Sequence, residues 1–433
     1  MRGFWSAAAL ALVVSGLPAA LPAATPPVAP VAPPAFGERI DVRAVDVEAA
    51  VTDRSGHRVP GLTAADFRLL VDGKEVTIDS FTAVEDGRNA ANAANAANAA
   101  NAANAANAAD AAHSAPEPAT AVPAAGISRN FLVFVDNGFA IAAQRDRVLD
   151  TLAAQLPLLG PDDRMAVVAF DGEHLATLAD WTANRATLAA ALARAKGQPA
   201  DGVRVLAARR SAAEDRRLED EYDPILEAQR AFGRLGRLTL ESPTLESPAQ
   251  VRALVRGMPR AVAATDAALR TLVPPPGRRV LLLLSGGWPF SSYPALFWPL
   301  TATANRLGYT FYPVDVPGLD AETTGADARA EAPGPSSGFI TTAWERDSQY
   351  TLELLARATG GKAIVHSARL SALERAADDT RSYYRLGFSP AWKADDRQHA
   401  IRVEVRRPGL SVRARKSYTD LSATAEGALE KQR

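Results

Sequence analysis

The chain has 433 residues, of which 47% are hydrophobic and 22% charged, and its 48 basic and 49 acidic residues leave a net charge of −1. This length allows roughly two or three domains, and the balanced charge excludes the basic field that nucleic-acid-binding proteins carry. The chain contains no cysteine, which excludes disulfides, lipid attachment through cysteine and a cysteine nucleophile.

The first 24 residues have the pattern of a secretory signal peptide. Arg2 precedes an apolar run at 7–14, which is too short to span a bilayer as a helix, and small residues follow at 19–24. We therefore expect a secreted or periplasmic protein without stable membrane insertion after cleavage; an uncleaved anchor is the alternative. Residues 25–37 are Pro-rich and predict an extended spacer.

Residues 38–85 are predicted to be β structure. Apolar and polar residues alternate over 40–51, as in a strand with one buried face. Thr63 is a predicted N-cap of a short helical turn. The turn at Asp72-Gly73 predicts a hairpin whose second strand covers 75–81.

Residues 86–127 are predicted to be a linker. Seven Asn-Ala-Ala repeats fill 89–109. Their period of three does not match a buried helix face, and they carry no charge and no large apolar side chain, so they cannot bury a core. A binding repeat built on asparagine ladders is the alternative.

Short apolar strands alternate with helices from residue 128 to 381. This alternation predicts an α/β domain with a doubly wound, mostly parallel sheet covered by helices on both faces. The predicted strands lie at 131–135, 165–170, 174–181, 280–284, 309–316 and 362–365.

The alternation typical of strands returns in residues 382–420, at 384–388, 401–405 and 410–414. Because neither terminal β segment would be stable alone in water, we expect both to join in one small β-sandwich, with the α/β domain inserted between them. Residues 421–433 are predicted to be a polar tail.

Several segments together suggest a family. An apolar strand ends at Asp136, DRMAVVAF follows at 163–170 and RRVLLLLSGG at 278–287. These segments resemble a von Willebrand factor A domain. The flanking VTDRSGHRVPGLTAADFRLLVDGKEVTIDSF, at 51–81, and YYRLGFSP, at 383–390, resemble A-related domain proteins of the secreted acidobacterial type. The resemblance implies an extracytoplasmic module that binds a protein or peptide partner.

The resemblance also implies a metal-ion-dependent adhesion site with the pattern Asp-x-Ser-x-Ser, a loop Thr and a second Asp, all oxygen ligands for a divalent cation. Asp136 is present, but Gly138 and Ala140 replace the serines and Ser285 replaces the second Asp. Asp201 is the best match to the loop Thr. We predict a degenerate site without a cofactor, in which Asp136 caps the next helix or accepts backbone N–H groups. Adhesion through a weakly held Mg²⁺ at Asp136 is the alternative.

Most catalytic signatures are missing from the sequence. It has no P-loop, HExxH or GxGxxG motif, and we therefore predict a non-enzymatic protein. The alternative is an exported hydrolase that uses Ser285, since Ser285-Gly286-Gly287 resembles a nucleophile elbow, although no histidine is placed to serve as its base.

Aromatic residues follow the two strands that carry the degenerate site. Because ligands bind at the carboxyl ends of strands in an open parallel sheet, we predict that Phe139, Trp288 and Phe290 form an apolar face for an unknown protein or peptide partner. The alternative is that they pack beneath their own loops. The charged helix predicted at 209–223 is a second candidate surface.

Overall fold

The computed structural model describes residues 44–89, 127–202, 248–288, 296–316 and 349–430. The signal and spacer segments, the Asn-Ala-Ala repeats from residue 90 onward, the charged segment 209–223 and Phe290 lie outside these ranges. The described strands are β1 Val45–Thr52, β2 Phe67–Val71, β3 Lys74–Val76, β4 Ser80–Glu85, β5 Arg88–Asn89, β6 Arg129–Asp136, β7 Arg164–Phe170, β8 Leu175–Thr182, β9 Arg278–Ser285, β10 Tyr309–Asp315, β11 Tyr383–Phe388, β12 Arg397–Val405, β13 Ser411–Ala414 and β14 Ser417–Asp420.

The described helices lie between and after these strands. They are α1 Ala142–Gln155, α2 Arg185–Lys196, α3 Pro248–Thr271, α4 Phe297–Leu307, α5 at 349–359, α6 Ala372–Arg381 and α7 Ala423–Glu430. Asn184 caps α2, because its side chain accepts the backbone N–H groups of Ala186 and Thr187. None of the described helices combines the length and the apolar character needed to cross a membrane.

A five-stranded sheet in the order β10-β9-β6-β7-β8 forms the centre of the molecule. Its neighbours pair in parallel except β8, which runs antiparallel to β7. The predicted mostly parallel sheet is thereby confirmed. In chain order the strands read 5-4-1-2-3, as in doubly wound sheets, so the connections diverge between β6 and β9.

Helices cover both faces of this sheet because successive side chains of its strands point to opposite sides. On β6, Phe131, Val133 and Val135 are fully buried and pack in one cluster with α1, α2 and α6. Leu132 and Phe134 are equally buried and pack in a second cluster with α3, α4 and α5. The continuous apolar run of β6 is therefore explained by burial on both sides.

Strands from the two ends of the chain pair in two further sheets, β13-β1-β11-β4-β5 and β14-β12-β2-β3. In the first, Val47 of β1 is opposite Leu386 of β11. In the second, Leu69 of β2 is opposite Val403 of β12. The apolar side chains of both sheets form one buried cluster, which includes Phe67, Tyr384 and Phe388.

A partly buried carboxylate of α6, that of Asp379, connects these terminal sheets to the central layer. Arg413 Nη2 of β13 lies 2.6 and 2.9 Å from the two Asp379 oxygens, and Arg58 Nη2 lies 3.0 Å from Oδ1. Tyr312 of β10 donates its hydroxyl to Oδ2 at 2.7 Å. Burial alone would raise the pKa of Asp379, but the two arginines lower it below its usual value, so the ion pair stays formed at neutral pH.

Several boundaries differ from those expected from the sequence. The predicted strand at 75–81 is two strands, since β3 pairs with β2 in one sheet and β4 pairs with β11 in the other. The chain changes sheets at 77–79, where Asp79 N donates to the Gly387 carbonyl at 2.8 Å. The predicted strand at 362–365 is a single parallel bridge of Ile364 to Val314.

The predicted linker and tail are also shorter than expected. Residues 88–89 are paired with β4, and Ile127 N donates to the Gly87 carbonyl at 2.6 Å. The two ends of the repeat-containing segment are therefore held together. The predicted polar tail contains α7.

Truncation after Ser382 tests the pairing of the two chain ends. It removes β11, β12 and β13, so β1 and β2 lose the neighbours that protect their amides, and we expect fast hydrogen exchange over 45–52 and 67–71. A chain that ends at residue 421 loses α7 but keeps every described strand, and it should keep this protection. Slow hydrogen exchange over 45–52 in the chain truncated after Ser382 would contradict this pairing.

Candidate functional site

Asp136 and Ser285 end the two strands at which the connections of the central sheet diverge. Asp136 is the last residue of β6 and Ser285 the last of β9, and these strands are parallel neighbours. The carboxyl ends of the strands at such a point form the usual ligand site of an open α/β sheet. The architecture therefore places both residues where a binding site is expected.

A hydrogen-bonded triad occupies this position. Ser285 Oγ donates to Asp136 Oδ2 at 2.8 Å, and Trp288 Nε1 donates to the same oxygen at 3.0 Å. Gly287 N donates to Ser285 Oγ at 3.2 Å. Asp136, Ser285 and Trp288 are each 0% exposed, so solvent does not reach the carboxylate.

Burial controls the protonation of Asp136. It raises the pKa from its ordinary value of 3.8 to about 6, against the opposing effect of the Ser285 and Trp288 hydrogen bonds and of the backbone N–H groups of Gly138 and Phe139. Oδ1 has no hydrogen-bond partner among the described residues.

The expectation that Asp136 caps the next helix is not met. Helix α1 begins at Ala142, its N-cap is Ile141, and no side chain caps it. Asp136 lies too early in the loop for the capping position. Its Oδ2 accepts hydrogen bonds from Ser285 and Trp288 instead, and its Oδ1 lies beside Gly138 of its own loop.

Two neighbouring loops close over the triad. Asp201 N donates to the Asn137 carbonyl at 2.8 Å, and Gly202 N donates to the Ala140 carbonyl at 3.1 Å. A Cβ added to Gly202 would lie 2.5 Å from that carbonyl oxygen, and one added to Gly138 would lie 3.3 Å from Asp136 Oδ1. Space for a serine at position 138 is therefore tight.

A buried arginine that sequence reasoning missed fixes the first loop. Arg145 of α1 is 1% exposed, and its Nη1 donates to Asn137 Oδ1 at 2.6 Å and to the Gln198 carbonyl at 2.8 Å. Asn137 Nδ2 donates to Gln198 Oε1 at 2.9 Å. The β6–α1 loop is thus tied to the end of α2 and has little freedom to open.

The predicted site residues divide into two groups. Asp136 and Ser285 are in direct contact, and Asp201 reaches their loop through its backbone. Phe139 and Trp288, predicted to form an exposed apolar face, are 7% and 0% exposed. Trp288 stacks on Phe297 with ring centroids 5.9 Å apart. Both residues are therefore part of the core, because their rings fill space beneath the loops.

The donor set around Asp136 is poor for a divalent cation. Such a cation requires several oxygen ligands, but an indole N–H is a donor and cannot ligate it. This N–H and the Ser285 hydroxyl both engage Oδ2, and Gly138 and Ala140 supply no side-chain oxygen. As a nucleophile, Ser285 is no better placed, because it is buried and its hydroxyl donates to a carboxylate rather than to a histidine.

Among the described residues, one group of three histidine or acidic side chains has potential metal-ligating atoms within 4.8 Å of one another. It consists of Asp395, His399 and Asp420. Hydrogen bonds within the protein explain why these side chains lie close together. Asp420 accepts Lys393 N at 2.7 Å. His399 Nδ1 lies 2.7 Å from Asp72, and this hydrogen bond raises the pKa of His399.

Comparisons with known proteins find structural similarity only. No protein-family model and no curated protein matches the chain. Similar solved structures include an aerotolerance-related membrane protein from Bacteroides fragilis (12% identity, 59% of this chain and 100% of that chain, TM-score 0.28). A von Willebrand factor type A protein from Catenulispora acidiphila matches at 9% identity over 70% of this chain and 68% of that chain, with a TM-score of 0.28.

A third similar structure is the vWF domain of the type V pili tip protein Mfa5 from Porphyromonas gingivalis, at 19% identity and a TM-score of 0.13. This match covers 17% of this chain and 27% of that one. A longer structure of the same tip protein also matches, and 14% of its length is covered. The chain thus spans only a small part of these pilus proteins.

The pH dependence of stability tests the state of Asp136. Because folding raises its pKa from 3.8 to about 6, its contribution to stability is complete below pH 3.8 and is lost as the pH rises through 6. Asp136→Asn cannot titrate. Relative to this variant, the wild-type free energy of unfolding should fall by about 3 kcal/mol between pH 3.8 and pH 7, at about 1.4 kcal/mol per pKa unit. Parallel profiles from urea denaturation would contradict this.

Proposed function

We propose that residues 128–381 form a von Willebrand factor A-like domain that binds a protein or peptide partner without a metal ion and without catalysis. We further propose that the two terminal sheets constitute a β-sandwich and that the protein is exported. The observation that carries the proposal is the hydrogen bond from the Trp288 indole to Asp136, the first carboxylate of the predicted metal position.

Physical chemistry supports a site that has exchanged its cation for hydrogen bonds. A buried carboxylate needs compensation, and here Ser285 and Trp288 supply two donors to Oδ2. The raised pKa of Asp136 leaves part of its population protonated, and therefore neutral, near pH 6. Such a carboxyl group needs less compensating positive charge than a fully ionised carboxylate. An ion would have to displace both donors.

The partner surface is then expected on the rim of the carboxyl edge. Trp298 and Tyr350 are 47% and 43% exposed, and they lie in the first turns of α4 and of the described helix α5. Thr351 Oγ1 donates to the Trp288 carbonyl, which brings the start of α5 to the site. Asn305 Nδ2 donates to the Ala358 carbonyl at 3.2 Å, so the two helices are neighbours.

Exposed aromatic side chains are frequent carriers of binding energy. Because Trp298 is adjacent to the buried Phe297 that stacks on Trp288, the rim is held in place by the core beneath it. We therefore assign Trp298 and Tyr350 the role of partner anchors, which the sequence analysis assigned to Phe139, Trp288 and Phe290.

Metal independence is the first test. Millimolar Mg²⁺ or Mn²⁺ should leave Tm unchanged, and EDTA should not release a partner, since a ligand stabilises a protein only by binding its folded state. Asp136→Ala is the matched control. A saturable Mg²⁺-dependent rise in Tm that this variant abolishes would favour metal-dependent adhesion instead.

The rim residues are the second test. Trp298→Ala and Tyr350→Ala should change the free energy of unfolding by no more than about 0.5 kcal/mol, as for surface residues, while partner affinity falls by roughly 2 kcal/mol. Partners are first captured by crosslinking the mature protein in an extracytoplasmic extract. Val273→Ala, at an exposed apolar residue of the opposite edge, is the control. Equal capture by all variants would contradict the assignment.

A further inference from the structure

A cleft of about 1040 Å³ lies between the terminal sheets and the amino edge of the central sheet. Its walls come from β1, β11 and β13 on one side and from the first residues of β9 and β10 on the other. Asp136 and Ser285 lie at the other end of these central strands, so the cleft is distinct from the site described above. Its size is at the upper end of the range of small-ligand sites.

Basic side chains dominate the wall of this cleft. Among its described lining residues, only Asp46, Glu48 and Glu426 are acidic. The six arginines that line it are Arg278, Arg279, Arg306, Arg385, Arg413 and Arg415.

Two of these arginines are already neutralised. Arg413 pairs with Asp379, and Arg278 Nε lies 2.9 Å from Glu48.

Three of the arginines form no ion pair within the described part of the chain. Arg279 Nη1 donates to the Leu307 carbonyl at 2.6 Å, Arg385 Nη2 to the Tyr383 hydroxyl at 3.2 Å, and Arg415 Nη1 to the Asn305 carbonyl at 2.7 Å. Each uses neutral acceptors and retains further N–H groups. The cleft thus has an excess of positive charge and unused donors.

Unpartnered polar atoms line the same cleft. Asn305 and Tyr309 are each 2% exposed, yet Asn305 Oδ1 and the Tyr309 hydroxyl have no hydrogen-bond partner among the described residues. Arg415 Nε is likewise without one. Buried polar groups are nearly always paired in native proteins, so these three atoms, on residues that line one cleft, are candidate contacts for a polar molecule.

The required ligand must combine an oxyanion with a hydrogen-bond donor. Arginine binds a carboxylate through two parallel N–H groups, while Asn305 Oδ1 can only accept a hydrogen bond. A peptide supplies both groups, because it carries carboxylates and a backbone N–H at short separation. Its carbonyl groups also suit the Tyr309 hydroxyl.

We propose that this cleft binds a short acidic peptide, with its carboxylates on Arg279, Arg385 and Arg415 and a backbone N–H on Asn305 Oδ1. The carboxylates come from acidic side chains or from a chain terminus, which have the same chemistry. The proposal does not depend on the rim of the carboxyl edge, which is a separate surface.

The test is a fluorescence anisotropy titration of the full chain with a labelled peptide of alternating glutamate and alanine. Binding should be saturable and should weaken with salt, and a glutamine–alanine peptide with an amidated terminus, which carries no carboxylate, should not bind. Arg385→Gln should weaken binding roughly tenfold, and Tyr309→Phe several-fold with Tm retained, because only an unpaired hydroxyl is removed. Arg402→Gln, at an exposed residue of β12 outside the cleft, should have no effect.

Amidation of the peptide terminus separates the two sources of carboxylate. Retained binding identifies the acidic side chains, and lost binding identifies the terminus. The double variant Trp298→Ala and Tyr350→Ala should bind the peptide normally, so failure of the rim assignment remains distinguishable. Absence of binding at low salt, or affinity unchanged by both Arg385→Gln and Tyr309→Phe, would overturn the proposal. Preference for an oligosaccharide of uronic acids over the peptide would overturn the peptide assignment.

Discussion

The buried carboxylate of Asp136 is the group around which the carboxyl edge of the central sheet is organised. A charge at this depth is costly unless it is paired or hydrogen-bonded, and Ser285 and Trp288 supply the donors. The indole is in turn held by its stack on Phe297 and by Thr351, which bonds its carbonyl. One carboxylate therefore connects β6, the loop after β9, and the first turns of α4 and α5.

The closure of this edge has consequences for binding. Because Trp288 is buried there and the loops around Asn137 and Gly202 are bonded to each other, we propose the rim as the partner surface, where Trp298 and Tyr350 are exposed. The other end of the sheet differs in kind. There the terminal sheets are fixed to the central layer by Asp379, and the arginine-lined cleft remains open. The two ends of the strands thus offer an aromatic surface and a basic one.

Local sequence patterns predicted the strands and helices of the centre well. The apolar runs of β6, β7 and β9 depend on neighbouring residues, which the sequence displays directly. The change of sheets at 77–79 depends on Gly387, which is distant in sequence. The residues around 77–79 therefore do not indicate it. Gly138 and Ala140, at positions where the resemblance expects serines, led to the prediction of a degenerate site. They did not reveal that Trp288 is buried there, because an aromatic residue after a strand is compatible with either a surface or a core.

The account depends most on the hydrogen bond between the Trp288 indole and Asp136. Nitrogen-15 NMR of the indole N–H groups measures it directly, with Trp288→Phe identifying the resonance. The account predicts that the Trp288 signal titrates with a midpoint near pH 6, that Asp136→Asn abolishes this titration, and that millimolar Mg²⁺ leaves the signal unchanged. A Mg²⁺-dependent shift of the Trp288 signal at neutral pH, lost in Asp136→Asn, would show that the ion displaces the indole and would contradict the account.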